Sequence, residues 1–276
     1  MTATDRSDAR LLALFALLSL IASGCGIAAM VLSGTPQIRW IPNIAAWAVG
    51  GGLAFAIARA TPSPRAWIGI AVAALALVAA TLAGPDQQGV HRWLSAGPLF
   101  VNIASLTLPA AIVAMARLGA QHRLVPIIAT LLAAILAIQP DASQAFALAL
   151  AGFAILVTDK RIAALVTAIC LVGIAALSLL RADPLQPVPE VEQIVQLAHA
   201  ATPALAWAAV ASLAAIPAML FALRLQDTAA RAIALYIGAV SVAPIFGWFP
   251  VPLVGAGMSF PLGLWLGIGL LAARQR

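Results

Sequence analysis

The sequence predicts an all-α, polytopic integral membrane protein of about ten transmembrane helices. Three observations carry that expectation. The 276-residue chain is 63% hydrophobic with a mean hydropathy of +1.05, and only 9% of it is charged, against about 25% for a soluble domain. Its apolar residues form long continuous runs, which suit helices, whereas a β-barrel needs short alternating segments. Its Lys and Arg residues fall in the connections between those runs and at the ends, as topology signals do.

A span takes about 20 apolar residues. Ten runs qualify in order: Leu11–Leu32, Trp40–Ala60, Ala66–Ala83, Leu99–Leu118, Leu124–Ile138, Gln144–Val157, Ile162–Leu180, Ile194–Leu223, Ala229–Phe246 and Pro252–Ala272. The first contains Ala22-Ser23-Gly24-Cys25 behind Arg6 and Arg10, a pattern like a lipoprotein signal. Ala22 is a poor residue three places before the cysteine, and the run continues through Val31. A retained span is therefore expected in place of a cleaved signal. The fifth and sixth runs are short and separated by Gln139-Pro140-Asp141; they also fit a re-entrant hairpin, which preserves parity. The eighth run follows Pro189, suited to a first helical turn, with Glu190 and Glu192 favouring the positive helix N-terminus. The last opens with Pro250, Pro252, Gly255 and Gly257, pointing to irregular backbone or close helix contact. Cys25 and Cys170 sit inside apolar runs and read as small core residues, not a disulfide. The whole chain, 1–276, is expected to form one membrane domain.

Orientation follows from the basic residues. With the N-terminus in the cytoplasm, the inner side holds Arg6, Arg10, Arg59, Arg65, Arg117, Arg123, Lys160, Arg161, Arg224, Arg231, Arg274 and Arg276; the outer side holds Arg39, Arg92 and Arg181. This places both termini inside. The outer connections also carry Asp86, Asp141, Asp183, Glu190 and Glu192, so any chemistry is expected at the outer face. The net charge of +6 does not indicate nucleic acid, because no basic cluster is interleaved with aromatics. Three histidines, His91, His122 and His199, show no metal-ligand spacing with the cysteines, and no phosphate loop or serine triad is present; no metal or cofactor is expected.

Three segments offer polar groups. Arg92 beside Trp93 suits an anionic head group gripped at the interface, although an aromatic-belt Trp with a surface Arg has the same sequence. Asp141 reads as a helix cap or, between two short helices, as a carboxylate facing a cavity. Glu192, Gln196 and His199 recur at helical spacing and define a polar face entering the eighth span. That face belongs either to a site or to a solvated helix start.

Several of these segments together resemble the SEDS family, the RodA- and FtsW-like membrane proteins of bacterial cell-wall synthesis. Gly89-Val-His-Arg92-Trp93-Leu-Ser-Ala-Gly97-Pro98, followed by Asn102-Ile-Ala-Ser105, is similar to the family's Gly-x-x-Arg-Trp-Ile-x-x-Gly-Pro and the Gln-Pro-Ser-Glu helix behind it. Gln139-Pro140-Asp141-Ala-Ser-Gln-Ala145 resembles Gln-Pro-Asp-Leu-Gly-Thr-Ala between two short spans. Val251-Pro252-Leu-Val-Gly-Ala-Gly257-Met-Ser259 is a degenerate form of Leu-Pro-Phe-x-Ser-Tyr-Gly-Gly-Ser. Ten spans with cytoplasmic ends is also the family's topology. The departures are specific. The outer loop between spans seven and eight is cut to about a dozen residues, an ordinary connection. Val188-Pro189-Glu190 matches the start of Leu-Pro-Glu-x-x-x-Asp, but the Asp position falls on Ile194, and the family's Glu and Lys on span four fall on Ser105 and Leu108.

The resemblance implies a multi-pass protein of the bacterial inner membrane that acts in peptidoglycan biogenesis, cell shape or division. It would act on, or bind, an undecaprenyl-linked precursor at the outer face. As a glycosyltransferase it would use Glu192 or Glu190 as general base, with Arg92, Trp93, Asp141 and His199 holding substrate. The missing ionisable groups leave open a non-catalytic scaffold for a partner such as a single-span membrane protein. A small-molecule transporter is the weakest alternative, because charge within the spans is nearly absent.

Overall fold

The computed structural model describes residues 3–97, 99–181 and 183–274. Pro98 of the hairpin motif and Arg276 of the inner basic set lie outside the described residues. Among those described are eleven α-helices and one β-hairpin: α1 (Ala3–Leu32), α2 (Gln37–Ile57), α3 (Pro64–Ala80), β1 (Trp93–Ala96), β2 (Leu99–Asn102), α4 (Ile103–Leu118), α5 (Leu124–Ile138), α6 (Ala142–Leu156), α7 (Ile162–Leu179), α8 (Ile194–Ala201), α9 (Pro203–Arg224), α10 (Thr228–Val242) and α11 (Ser259–Ala272).

Local sequence sets where these helices start. Ser63, Asn102, Thr202 and Asp227 each accept a backbone N–H from two or three residues ahead, and Pro64 and Pro203 occupy first-turn positions where no donor is needed. The pair Thr202-Pro203 also breaks the eighth predicted span. Proline disfavours helical backbone in the residue before it. Thr202 is extended, with φ −157° and ψ 137°, so α8 ends and α9 begins anew. The tenth span is shorter than predicted, because residues 252–258 form a loop with positive φ at Leu253 and Gly257. The fourth begins later as well, since Leu99–Asn102 pairs as a strand with Trp93–Ala96.

Helices α4, α6, α10 and α11 form the centre of the bundle, and most of their residues are buried. Close approach of α11 to α4 depends on Gly263, where a Cβ would lie 2.1 Å from the Ser105 carbonyl oxygen. Such small-residue contacts let membrane helices pack through backbone. Trp265 of α11 fills the space beside α1 and α2, edge-to-face against Phe15 and Trp47.

The outer helices present apolar side chains to the surroundings. On α7, Leu165, Val166, Ile169 and Val172 are all exposed, an area that water would not tolerate and hydrocarbon does. Cys170 lies on this outward face and only Cys25 is buried, so the expectation of two core cysteines holds for one of them. Six helical segments are long and apolar enough to cross a membrane, and α4, α5, α6 and α11 are shorter apolar helices of 14–16 residues. The protein is a multi-pass α-helical membrane protein.

Charges collect at the two ends of the bundle. At one end Arg117 makes a bidentate pair with Asp227 at 3.0 Å, Arg224 pairs with Asp8, and the Arg274 N–H reaches the Ala60 carbonyl. At the opposite end lie Arg39, Arg92, Asp141, Asp183, Glu190 and Glu192. Basic residues at the first end belong to predicted inner connections and those at the second to outer ones, as an odd–even alternation of ten spans requires.

Candidate functional site

A cavity of about 300 Å³ opens at the Arg92 end, where the hairpin, the α5–α6 turn, the α7–α8 connection and the α10–α11 loop meet. Each contributes through local chemistry. Before β1 the chain turns twice: Asp86 Oδ1 accepts the Gly89 N–H, Gln87 and Val90 exchange backbone hydrogen bonds, and Gln88 and Gly89 take positive φ. This aims Arg92 inward, and its carbonyl accepts the Ile103 N–H at the start of α4.

Arg92 is 5% exposed and Asp141 3%. Guanidinium Nη2 of Arg92 donates to the Pro140 carbonyl and, at 2.7 Å, to Asp183 Oδ2; its Nε stands 3.8 Å from Asp141 Oδ2. A buried cation needs such partners, because desolvation otherwise costs several kcal/mol. Asp141 occupies the residue before α6, but its carboxylate makes no capping hydrogen bond. It turns into the cavity, where Oδ1 accepts the Ser143 hydroxyl at 3.2 Å.

Glu192 lines the same cavity. Its Oε2 accepts the Val188 N–H at 2.8 Å, which folds residues 188–192 into a turn ahead of α8. Burial pushes its carboxyl above the ordinary range, opposed by that N–H and by Arg92. The α7–α8 connection is tied to the α10–α11 loop: Val251 N–H donates to Val191 O and Ala256 N–H to Glu190 O. Gly255 permits this contact, since a Cβ there would lie 2.7 Å from Val191 O. Asn43, fully buried on α2, clips the loop from below by donating to Gly255 O and accepting the Gly257 N–H, each at 2.8 Å.

Of the residues singled out from sequence, Arg92, Trp93, Asp141 and Glu192 converge on this cavity. Two do not. Glu190 pairs with Arg39 at 3.5 Å beside the lining, its carbonyl used by Ala256. His199 lies exposed on α8, away from the cavity, because Glu192 belongs to the preceding turn and shares no helical face with it. Asp183 was not among the candidates, though it is the strongest partner of Arg92; its presence in an outer connection with Arg181 was the available signal. Below the cavity Tyr236 Oη donates to Gln144 Oε1 at 2.7 Å and Gln144 Nε2 to Ser105 Oγ at 3.3 Å. This neutral chain runs through the position where the SEDS resemblance would place a Glu.

No family model matches the sequence, and no curated protein matches it. Solved structures do. The rod shape-determining protein RodA from Thermus thermophilus superposes with a TM-score of 0.65 at 17% identity, over 93% of this chain and 94% of that one. The chain has the RodA fold. A point mutant of the same Thermus RodA gives 0.61 at 19%, over 98% and 97%, and a chain from a peptidoglycan synthase complex gives 0.59 at 19%, over 92% and 95%. In this RodA-like frame the order of motifs read from the sequence corresponds to real spatial order: the Arg-Trp hairpin, the Gln-Pro-Asp turn and the Pro–Gly loop before the last helix surround one cavity. Ile194, at the family's Asp position, is fully buried in α8.

Proposed function

We propose that this protein acts in bacterial cell-envelope biogenesis, binding an undecaprenyl-pyrophosphate-linked sugar in the Arg92–Asp141–Glu192 cavity. The reading rests on one observation: side chains from four separate connections converge there, within a RodA-like fold whose outer helices are apolar; a polyprenyl chain would lie along that outer surface. The chain is placed in the inner membrane with this end outward and the Arg117–Asp227 end in the cytoplasm, on the distribution of basic residues. Arg39, 59% exposed at the cavity rim, is the cation most open to a pyrophosphate.

A transferase role is a second reading, favoured by Glu192. Its burial-raised carboxyl suits a general base. The carboxylate would take the proton of an acceptor hydroxyl as that oxygen bonds to the anomeric carbon. The bond from that carbon to pyrophosphate oxygen then breaks, releasing undecaprenyl pyrophosphate. A membrane partner, single-span or otherwise, is compatible with either reading.

The test uses purified protein in nanodiscs, with the fluorescence of the cavity tryptophans Trp93 and Trp248 as readout. Saturable binding of undecaprenyl-pyrophosphate disaccharide is expected; absence of saturation overturns the reading. Elongation of that lipid, lost in Glu192→Gln with binding retained, selects the transferase; binding without elongation selects the scaffold.

A further inference from the structure

Arg92 has the charge for a phosphate site, but its surroundings argue for a different ligand group. The cavity lining carries two basic side chains, Arg39 and Arg92, against three acidic ones, Asp141, Asp183 and Glu192. Two of those carboxylates already face Arg92, at 2.7 and 3.8 Å. Its net pull on a pyrophosphate is therefore weak, and binding an anion there would mean displacing Asp183.

What remains unused is more specific. Arg92 Nε and Asp141 Oδ2 are both fully buried, face each other across 3.8 Å, and neither has a hydrogen-bond partner among the described residues. Their charges attract each other, but neither atom completes a hydrogen bond, and leaving both without one costs free energy. The first is only a donor and the second only an acceptor when ionised. The separation is too long for a direct hydrogen bond and short enough for one oxygen to reach both at ordinary distances. An oxygen that accepts from Nε–H and donates to a carboxylate belongs to a water or to a ligand hydroxyl that takes the water's place; a phosphate oxygen without a proton satisfies only the first. Ser143 holds Asp141 Oδ1 and Asp183 holds Arg92 Nη2, so the free atoms are presented by immobilised side chains.

We infer that Arg92 and Asp141 form a hydroxyl-reading subsite that binds the sugar of the lipid-linked ligand, leaving the pyrophosphate to the cavity rim. This rests on the proposed function and names which part of the ligand these two residues recognise. Sites built to hydrogen-bond a hydroxyl discriminate strongly against ligands lacking it.

The experiment compares two probes on the full-length protein in nanodiscs: undecaprenyl pyrophosphate bearing a disaccharide, and glycan-free undecaprenyl pyrophosphate. Wild type is expected to prefer the glycan-bearing lipid by about tenfold, the scale of one hydrogen bond to a charged group. Arg92→Lys, which keeps the charge and loses Nε–H, and Asp141→Ala should each weaken binding of the glycan-bearing lipid more than that of the glycan-free lipid, erasing the preference. Ser143→Ala, which leaves Asp141 Oδ2 and Arg92 Nε in place but loosens Asp141, should reduce it less than Asp141→Ala does. A permethylated disaccharide lipid, with no hydroxyl to donate, should lose the preference on wild type, an arm that needs no variant to fold. Equal binding of the two probes by wild type, unaltered binding of the methylated lipid, or an equal loss for both probes in the variants overturns the subsite and leaves precursor binding standing. Binding of neither probe overturns both.

Discussion

The ion pair between Arg92 and Asp183 joins the hairpin to the α7–α8 connection, and its worth can be measured. Arg92 is almost wholly buried, whereas the Asp183 side chain keeps 18% of its exposure. Breaking a fully buried pair costs about 3–5 kcal/mol. Here Arg92 would retain the Pro140 carbonyl and Asp141, so the loss falls toward that of a single charge-assisted hydrogen bond, about 1.5–3 kcal/mol. A double-mutant cycle with Asp183→Asn, Arg92→Met and the pair together isolates the interaction. Reversible SDS unfolding in mixed micelles, followed by far-UV circular dichroism, supplies the free energies. The expected coupling is about 1–3 kcal/mol in favour of the native pair, on that same hydrogen-bond scale. A coupling within about 0.5 kcal/mol of zero would refute the claim that these two connections are held together by charge, and with it the geometry of the cavity mouth.

Other expectations concern the frame. Thr202→Ala should lower stability by about 1 kcal/mol through loss of the cap on α9, measurable in the same micelles; an unchanged midpoint would show the cap idle. Gly263→Leu should prevent proper assembly of α11 on α4, seen as loss of monodisperse protein on size exclusion, because even a Cβ meets the Ser105 carbonyl. Glu192 has its carboxyl raised by burial from an ordinary 4.5. The folded state then favours the protonated form, so its contribution is full below that ordinary value and is lost as pH rises through the folded pKa. Wild type should therefore lose stability relative to Glu192→Gln across that interval, and parallel curves would contradict the burial argument. For orientation, a cysteine replacing Asp86 should react with a membrane-impermeant maleimide from outside intact spheroplasts in a Cys25→Ala, Cys170→Ala background, and one replacing Lys160 should not; the reverse pattern would invert the topology.

The residues show why some features were readable and others were not. Apolar runs mark helices because a backbone in hydrocarbon has no other way to satisfy its hydrogen bonds. The same logic locates the helices closely enough to keep both ends of the bundle in order, although the fourth and tenth runs begin later and the eighth is broken. Thr202-Pro203 was a local break signal inside a run apolar enough to conceal it. The hairpin at Trp93–Asn102 lay hidden for a similar reason, since Leu99, Phe100 and Val101 serve a strand as well as a helix. Cys170 illustrates a different limit: a lipid-facing and a core position have the same polarity, so hydropathy cannot separate them.

By itself the sequence determined the membrane as solvent, a helix count near ten, and the gathering of Arg92, Asp141 and Glu192 at one end of the bundle. These follow from hydropathy and charge, which act locally along the chain. Only the tertiary structure decided that Asp183 holds Arg92, that Glu190 turns to Arg39, that His199 faces away, and that Arg92 Nε and Asp141 Oδ2 face one another at 3.8 Å without a hydrogen bond. The ion pairs among them join residues 49 to 151 positions apart, and no local pattern specifies which buried charge meets which.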